Sequence, residues 1–172
     1  CIMARKIEQR SRRRIGALIN NSNLGMQTTR ADVENSIPIV DEAAKMLADG
    51  ILPLMVILPG GMPGTTNLEA SPLVQSAIDR ALAEDKYIAA ICAAPMVLGK
   101  RGYLAGKRAI CFPGFESYLD GATIADERVV RDGKIITAAG MGAALDFALE
   151  LVSVFCGEDK AKTLQKAVVA EK

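Results

Sequence analysis

The stretch Tyr87-Ile88-Ala89-Ala90-Ile91-Cys92-Ala93-Ala94-Pro95-Met96-Val97-Leu98 decides the fold. Its first five residues form a short apolar run of strand character. Beyond Cys92 the chain changes at once to small residues and a proline, with helix-like spacing after them. A cysteine at the end of a buried strand, where the chain turns sharply into a helix, has the layout of a nucleophile elbow. The turn is tight, so the residues two before and two after the cysteine must be small, and they are Ala90 and Ala94. Pro95 suits the first turn of a helix, where a missing N–H leaves nothing unsatisfied. A helix N-terminus aimed at sulfur favours the thiolate, the reactive form. Taken alone, Cys92 reads more readily as a small buried core residue, the usual fate of a free cysteine. The surrounding segments decide between the two.

Upstream, Leu54 to Leu58 is a continuous apolar run of strand length, of the kind a parallel strand covered on both faces carries. It ends in Pro59-Gly60-Gly61, a loop where backbone can approach a ligand closely. A helix is predicted from Pro72 to Glu84, capped by Ser71, with Leu73, Ala77, Ile78, Ala81 and Leu82 on one face. After the elbow helix, which is expected to reach Arg101, Arg108 to Phe112 reads as a strand and Gly114 to Tyr118 as the start of a short helix. Val129 to Ile136 is a hairpin with Asp132-Gly133 in its turn. Gly140-Met141-Gly142 opens a long helix, Ala143 to Phe155, with Leu145, Ala148, Leu149 and Val152 assigned to its buried side. An amphipathic helix follows from Lys160 to Val169. Met141 reads as a space-filling residue, Cys111 and Cys156 as packing residues, and Glu116 as a surface carboxylate within reach of the crevice.

Toward the N-terminus, residues 2–14 read as a basic lead, Ile15 to Asn20 as a strand, residues 28–40 as irregular chain, and Asp41 as the cap of a helix ending near Gly50. Strands alternating with helices, with glycines at strand ends, indicate a doubly wound parallel sheet. Ligands of such sheets bind outside the carboxyl ends of the strands. Gly60-Gly61 and Cys92 both fall at such ends.

The composition narrows the function classes. A chain of 172 residues, half of them hydrophobic, is expected to form one domain with a core that needs neither disulfides nor metal. The formal net charge is +1, which gives no general field for nucleic acid or acidic substrates. The N-terminal cluster of Arg5, Lys6, Arg10, Arg12, Arg13 and Arg14 reads as a solvated helix face. The four cysteines are widely spaced and the chain has no histidine, so no zinc site and no other metal or cofactor is expected. Scattered reduced thiols suit the cytoplasm. No apolar run reaches membrane-spanning length. A first residue of cysteine points to a fragment or a processed chain.

Several segments in order resemble the ThiJ/PfpI superfamily, and within it the branch of the Parkinson-disease-associated protein deglycase. They are Val56-Ile57-Leu58-Pro59-Gly60-Gly61, Ala89-Ala90-Ile91-Cys92-Ala93-Ala94-Pro95, Phe112-Pro113, Ile136-Thr137-Ala138-Ala139-Gly140-Met141-Gly142, and Asp146-Phe147-Ala148-Leu149. The resemblance implies a flavodoxin-like doubly wound sandwich of the class I glutamine amidotransferase type, and a homodimer. It implies Cys92 as nucleophile and an anion pocket formed by the N–H groups of Gly61 and Ala93.

The chain also departs from the family. Phe112 stands where many members carry a histidine. Counting back from Arg13-Arg14-Ile15-Gly16 puts Ala4 where the family has a glutamate beside the cysteine, and the opening central strand is then missing. Glu8 is the nearest acidic substitute, with Glu116 as the other candidate acid or base. If Ile15 to Asn20 is instead the opening strand, the glutamate loop becomes residues 20–24, again without a carboxylate. Arg30 lies where members carry an arginine near the dimer face.

Three functions are expected to compete. One is a cofactor-independent glyoxalase or deglycase acting on small 2-oxoaldehydes, or on their adducts with proteins, through a hemithioacetal on Cys92. The second is an oxidative-stress sensor or chaperone whose Cys92 becomes a sulfinate. The third is a truncated, inactive member. A peptidase ranks last, for want of a histidine base.

Overall fold

The computed structural model describes residues 55–170. The readings for residues 1–54, among them Ala4, Glu8, the 15–20 strand, Arg30 and the helix from Asp41, lie outside the described residues.

The apolar run gives β1 (Met55–Leu58), whose first and last residues are buried. Helix α1 (Gly64–Ala70) was not expected, since Gly-Thr-Thr-Asn lacks an apolar stripe and two threonines disfavour a helix. It is started by Thr65, whose N–H and hydroxyl both donate to the Gly61 carbonyl, at 2.8 and 3.1 Å. Helix α2 (Pro72–Ala83) follows, with Ser71 as N-cap accepting from the Val74 N–H and Pro72 in the first turn. It buries Ile78 and Ala81.

Then come β2 (Tyr87–Ile91) and α3 (Pro95–Gly99). Of the predicted 108–112 strand only β3 (Arg108–Ala109) forms a ladder, parallel to β4 (Thr123–Ile124). A single 3-10 turn, Glu116–Tyr118, stands between them. The hairpin is β5 (Val129–Asp132) and β6 (Ile135–Ala138), antiparallel, with Asp132 opposite Ile135. That register makes the loop Gly133-Lys134 rather than Asp132-Gly133. Gly133 at φ 61 supplies the positive φ that such a two-residue turn demands of its first residue. A 3-10 turn, Met141–Ala143, leads into α4 (Ala144–Cys156), and α5 (Glu158–Ala167) ends the described chain.

The main sheet has the order β1-β2-β6-β5. Sheet and helices make a mixed α/β fold of the expected doubly wound kind. The chain gathers into two compact units, Cys1–Ala89 and Ala90–Lys172, with the boundary inside β2. In the first unit α2 packs on β1. In the second, α4 packs on β5 and β6, and α5 packs on α4.

The predicted phase of the long helix was wrong. Leu145 is 45% exposed and Ala148 is also exposed, Leu149 and Val152 are half-buried, and Phe147 is the core residue. Its polar residues Asp146, Glu150 and Ser153 do recur on one side, at i, i+4 and i+7, but Asp146 and Glu150 pair with Arg128 and Arg131 on the β5 side, so the apolar side opposite them, with Ala148, stays exposed. Met141 fills no space, being 89% exposed. Cys156 is exposed at the end of α4, whereas Cys111 is buried as expected. Among the described residues, no helix is long and apolar enough to cross a membrane.

Candidate active site

The centre of β2 consists of Ile88, Ala89 and Ala90, all fully buried. The strand therefore delivers its next residue from a fixed base. Cys92 then takes φ 65, a left-handed conformation that costs a side-chain-bearing residue on the order of 1–2 kcal/mol. Its backbone is held on both sides. The Cys92 N–H donates to the Ala138 carbonyl at 2.9 Å, at the end of β6. The Cys92 carbonyl accepts from the Phe112 N–H at 2.8 Å.

The chain folds back at once, since the Ala94 N–H donates to the Ile91 carbonyl at 3.1 Å and the Met96 N–H to the Ala93 carbonyl at 3.1 Å. Ala90 and Ala94 are fully buried, which explains why larger residues are not found there. All five residues of α3 are buried. The helix ends at Gly99, two residues short of the expected Arg101. The close approach of the 3-10 turn helps fix it: a Cβ on Gly99 would lie 2.1 Å from the Tyr118 carbonyl oxygen.

Cys92 is itself half-exposed. Ala93 is buried, and among the described residues no backbone carbonyl takes its N–H. A thiol on a strained turn followed by an uncommitted amide suits attack on a carbonyl and capture of the resulting oxyanion. Gly61, in the first unit, is exposed at φ 91, a conformation glycine adopts readily, and its carbonyl anchors the start of α1.

The segment after β3 brings further groups alongside Cys92. Its path is fixed by the Ile110 N–H, which donates to Thr137 Oγ1 at 3.0 Å, and by the Phe112 amide on Cys92. Burial pushes the Cys111 thiol up to about 11, and the charges of Glu116 and Cys92 add to the rise; a backbone hydrogen bond from Phe115 opposes it. The Cys111 thiol is thus within electrostatic reach of both Glu116 and Cys92. Glu116 is exposed, and its Oε2 accepts from the Gly114 N–H at 2.8 Å, which fixes the carboxylate on its own turn.

Phe112 is 44% exposed. A Cβ added to Gly140, just past β6, would lie 3.2 Å from the Phe112 ring. Sequence reasoning took Cys111 for packing alone and missed its coupling to Cys92. No local sequence signal marks this approach, which depends on the Phe112 N–H reaching the Cys92 carbonyl from twenty residues away. Among the described residues, no group of three His, Cys, Asp or Glu could hold a metal ion.

The model of the DJ-1/PfpI family matches residues 39–154. Protein dj-1beta of Drosophila melanogaster is 35% identical over 117 residues, covering 67% of this chain and 63% of that protein. The glutathione-independent glyoxalase DJR-1.2 of Caenorhabditis elegans is 32% identical over 120 residues, covering 69% of this chain and 63% of that one. The chain thus spans less than two thirds of the length of either relative. The crystal structure of Drosophila melanogaster DJ-1beta matches with a TM-score of 0.67 at 32% identity, over 74% of this chain and 69% of that one. That likeness bears out the flavodoxin-like expectation.

Proposed function

Because the chain belongs to the DJ-1/PfpI family, we propose that it is a cysteine-dependent enzyme of glyoxalase or deglycase type, acting on small 2-oxoaldehydes or their adducts. The observation that carries this reading is Cys92 at φ 65, half-exposed at the end of β2 with the Ala93 amide next to it. The nematode relative's name, a glyoxalase that needs no glutathione, supports the choice of chemistry.

The thiolate sulfur bonds to the aldehyde carbon, and the carbonyl pair moves onto oxygen as an alkoxide. The Ala93 N–H stabilises that charge. The resulting hemithioacetal loses its C1 hydrogen as a proton. Protonation at the neighbouring carbon gives the thioester of a 2-hydroxy acid, which water cleaves, returning the thiol. Aldehyde carbon is oxidised and its neighbour reduced, so no outside redox partner enters.

The step needs a proton carrier, worth about 10²–10⁴ in rate. Glu116 is the proposed carrier among the described residues, and Glu8 is the alternative from the N-terminal segment. Members of this family are expected to act as homodimers, and this chain is proposed to do the same.

The test is incubation of purified protein with methylglyoxal while lactate is followed. Turnover that disappears in Cys92→Ser is expected; no lactate at millimolar substrate, or undiminished turnover in the variant, overturns the reading. A second reading is a stress sensor in which half-exposed Cys92, on its strained turn beside the Ala93 amide, becomes a sulfinate. It requires mild peroxide to add two oxygens at Cys92 selectively, as read by peptide mass.

A further inference from the structure

Phe112, Phe115 and Tyr118 follow one another at steps of three, and the backbone uses that spacing. The Phe115 N–H donates to the Phe112 carbonyl at 3.1 Å, and the Tyr118 N–H to the Phe115 carbonyl at 3.1 Å. Bonds of this i to i+3 type bring the three side chains to one side of the turn. The rings accordingly contact in sequence. Phe112 and Phe115 meet edge to face with centroids 6.4 Å apart, and Phe115 and Tyr118 are tilted at 5.9 Å. Lys100 closes the far end, its Nζ 5.0 Å from the centre of the Tyr118 ring.

The near end is at Cys92. The Phe112 amide is bonded to the Cys92 carbonyl, and the Phe112 ring rests against Gly140, two residues past the Ala138 carbonyl that takes the Cys92 N–H. A side chain at position 140 would press on the ring. Despite these contacts Phe112 stays 44% exposed, one backbone hydrogen bond away from Cys92.

We propose that the Phe112–Phe115 pair is a specificity-determining shelf, and that the carbonyl compounds reacting at Cys92 carry an aryl or comparably flat apolar substituent. This rests on the reading of Cys92 as the nucleophile and names the substrate class of that same site. An incoming aryl ring adds one more member to the edge-to-face series, whereas a methyl group leaves the exposed face of Phe112 wet. The shelf is carried by the backbone bond at Cys92, so the ring's position is coupled to that of the sulfur.

The test compares two neutral bromoketones of the same reactive group, phenacyl bromide and bromoacetone. In each the Cys92 sulfur bonds to the methylene carbon as bromide leaves. Alkylation of Cys92 is timed by peptide mass, which separates it from Cys111 and Cys156. Free glutathione gives the intrinsic ratio of the two rates.

An aromatic contact is worth up to about a tenfold preference, so the phenacyl-to-acetonyl ratio at Cys92 is expected about tenfold above that of glutathione. It should fall toward the glutathione ratio in Phe112→Ala and return in Phe112→Tyr. A wild-type ratio equal to that of glutathione, or a ratio that Phe112→Ala leaves untouched, overturns the shelf. This readout needs no turnover. A raised ratio in a protein that makes no hydroxy acid from phenylglyoxal or methylglyoxal supports the shelf and sinks the glyoxalase reading alone. Turnover of both with no raised ratio sinks the shelf alone.

Discussion

Cys92 is held at φ 65 by two backbone hydrogen bonds, and that conformation suits glycine better than any residue with a side chain. Two variants measure the strain. Elsewhere in a strand or helix, replacing alanine by glycine destabilises; here the order should reverse. Cys92→Gly is expected to be more stable than Cys92→Ala by about 1 kcal/mol in urea denaturation, with neither turning over substrate. If alanine proves the more stable of the two, the turn is not strained and the elbow argument loses its physical basis.

Cys111 supplies a second residue-level prediction, with a sign. Its thiol is raised to about 11 from the ordinary 9.0, so the folded protein favours the neutral form. Between those values the unfolded chain has released a proton that the folded chain still holds. The stability due to this residue is therefore complete below about pH 9 and is lost as the pH climbs through 11, by on the order of 2 kcal/mol. Urea midpoints at pH 8 and pH 10.5 should fall more steeply for wild type than for Cys111→Ala. Parallel curves would show that the thiol ionises in the fold as readily as in water.

At the scale of elements, α3 is short because it is crowded. A methyl group on Gly99 would meet the Tyr118 carbonyl oxygen at 2.1 Å and the Leu119 Cα at 2.7 Å, both backbone atoms that side-chain rotation cannot clear. Gly99→Ala should cost about 3 kcal/mol or more, the upper range for overpacking. Gly142→Ala is the control, since a Cβ there meets nothing within 4 Å, and it should stay within about 0.5 kcal/mol. Thermal melts of the pair check both. Because α3 carries the elbow's exit, Gly99→Ala should also slow Cys92 alkylation.

The same elements explain what could be read in advance. The elbow was legible because a buried strand, two flanking alanines and a proline each constrain the chain independently, and all agree on one turn. Helix α2 was legible from Ser71-Pro72 and its stripe. Helix α1 was not, because Thr65 starts it through its bonds to the Gly61 carbonyl, and sequence periodicity does not record such contacts. The face of α4 was misread because its polar stripe, through Asp146 and Glu150, pairs with arginines on the β5 side instead of facing away from the sheet. At the site, the coupling of Cys111 to Cys92 depends on a hydrogen bond between segments twenty residues apart. No local pattern encodes that.

For the molecule as a whole, charge is balanced overall and paired locally. The chain has 21 lysines and arginines against 20 acidic residues. In the second unit Arg128 Nε lies 3.2 Å from Asp146 and Arg131 Nε 3.0 Å from Glu150, joining the β5 side to α4. Arg108 hydrogen-bonds Glu127 and holds its carboxyl below the usual range. These side chains are largely in contact with water, so the pairs to Asp146 and Glu150 each contribute about 0–1 kcal/mol.

Sodium chloride at 1 M shortens the screening length to about 3 Å and removes most of that. Unfolding free energies from urea titrations at low and high salt should therefore differ by less than about 2 kcal/mol. With a net charge of +1 and a neutral aldehyde, no long-range field steers the encounter at Cys92. The second-order rate constant for a neutral bromoketone should accordingly stay constant over the same salt range. A severalfold change would mean that a local field, with Glu116 the nearest candidate, acts on the thiol more strongly than the overall charge balance implies.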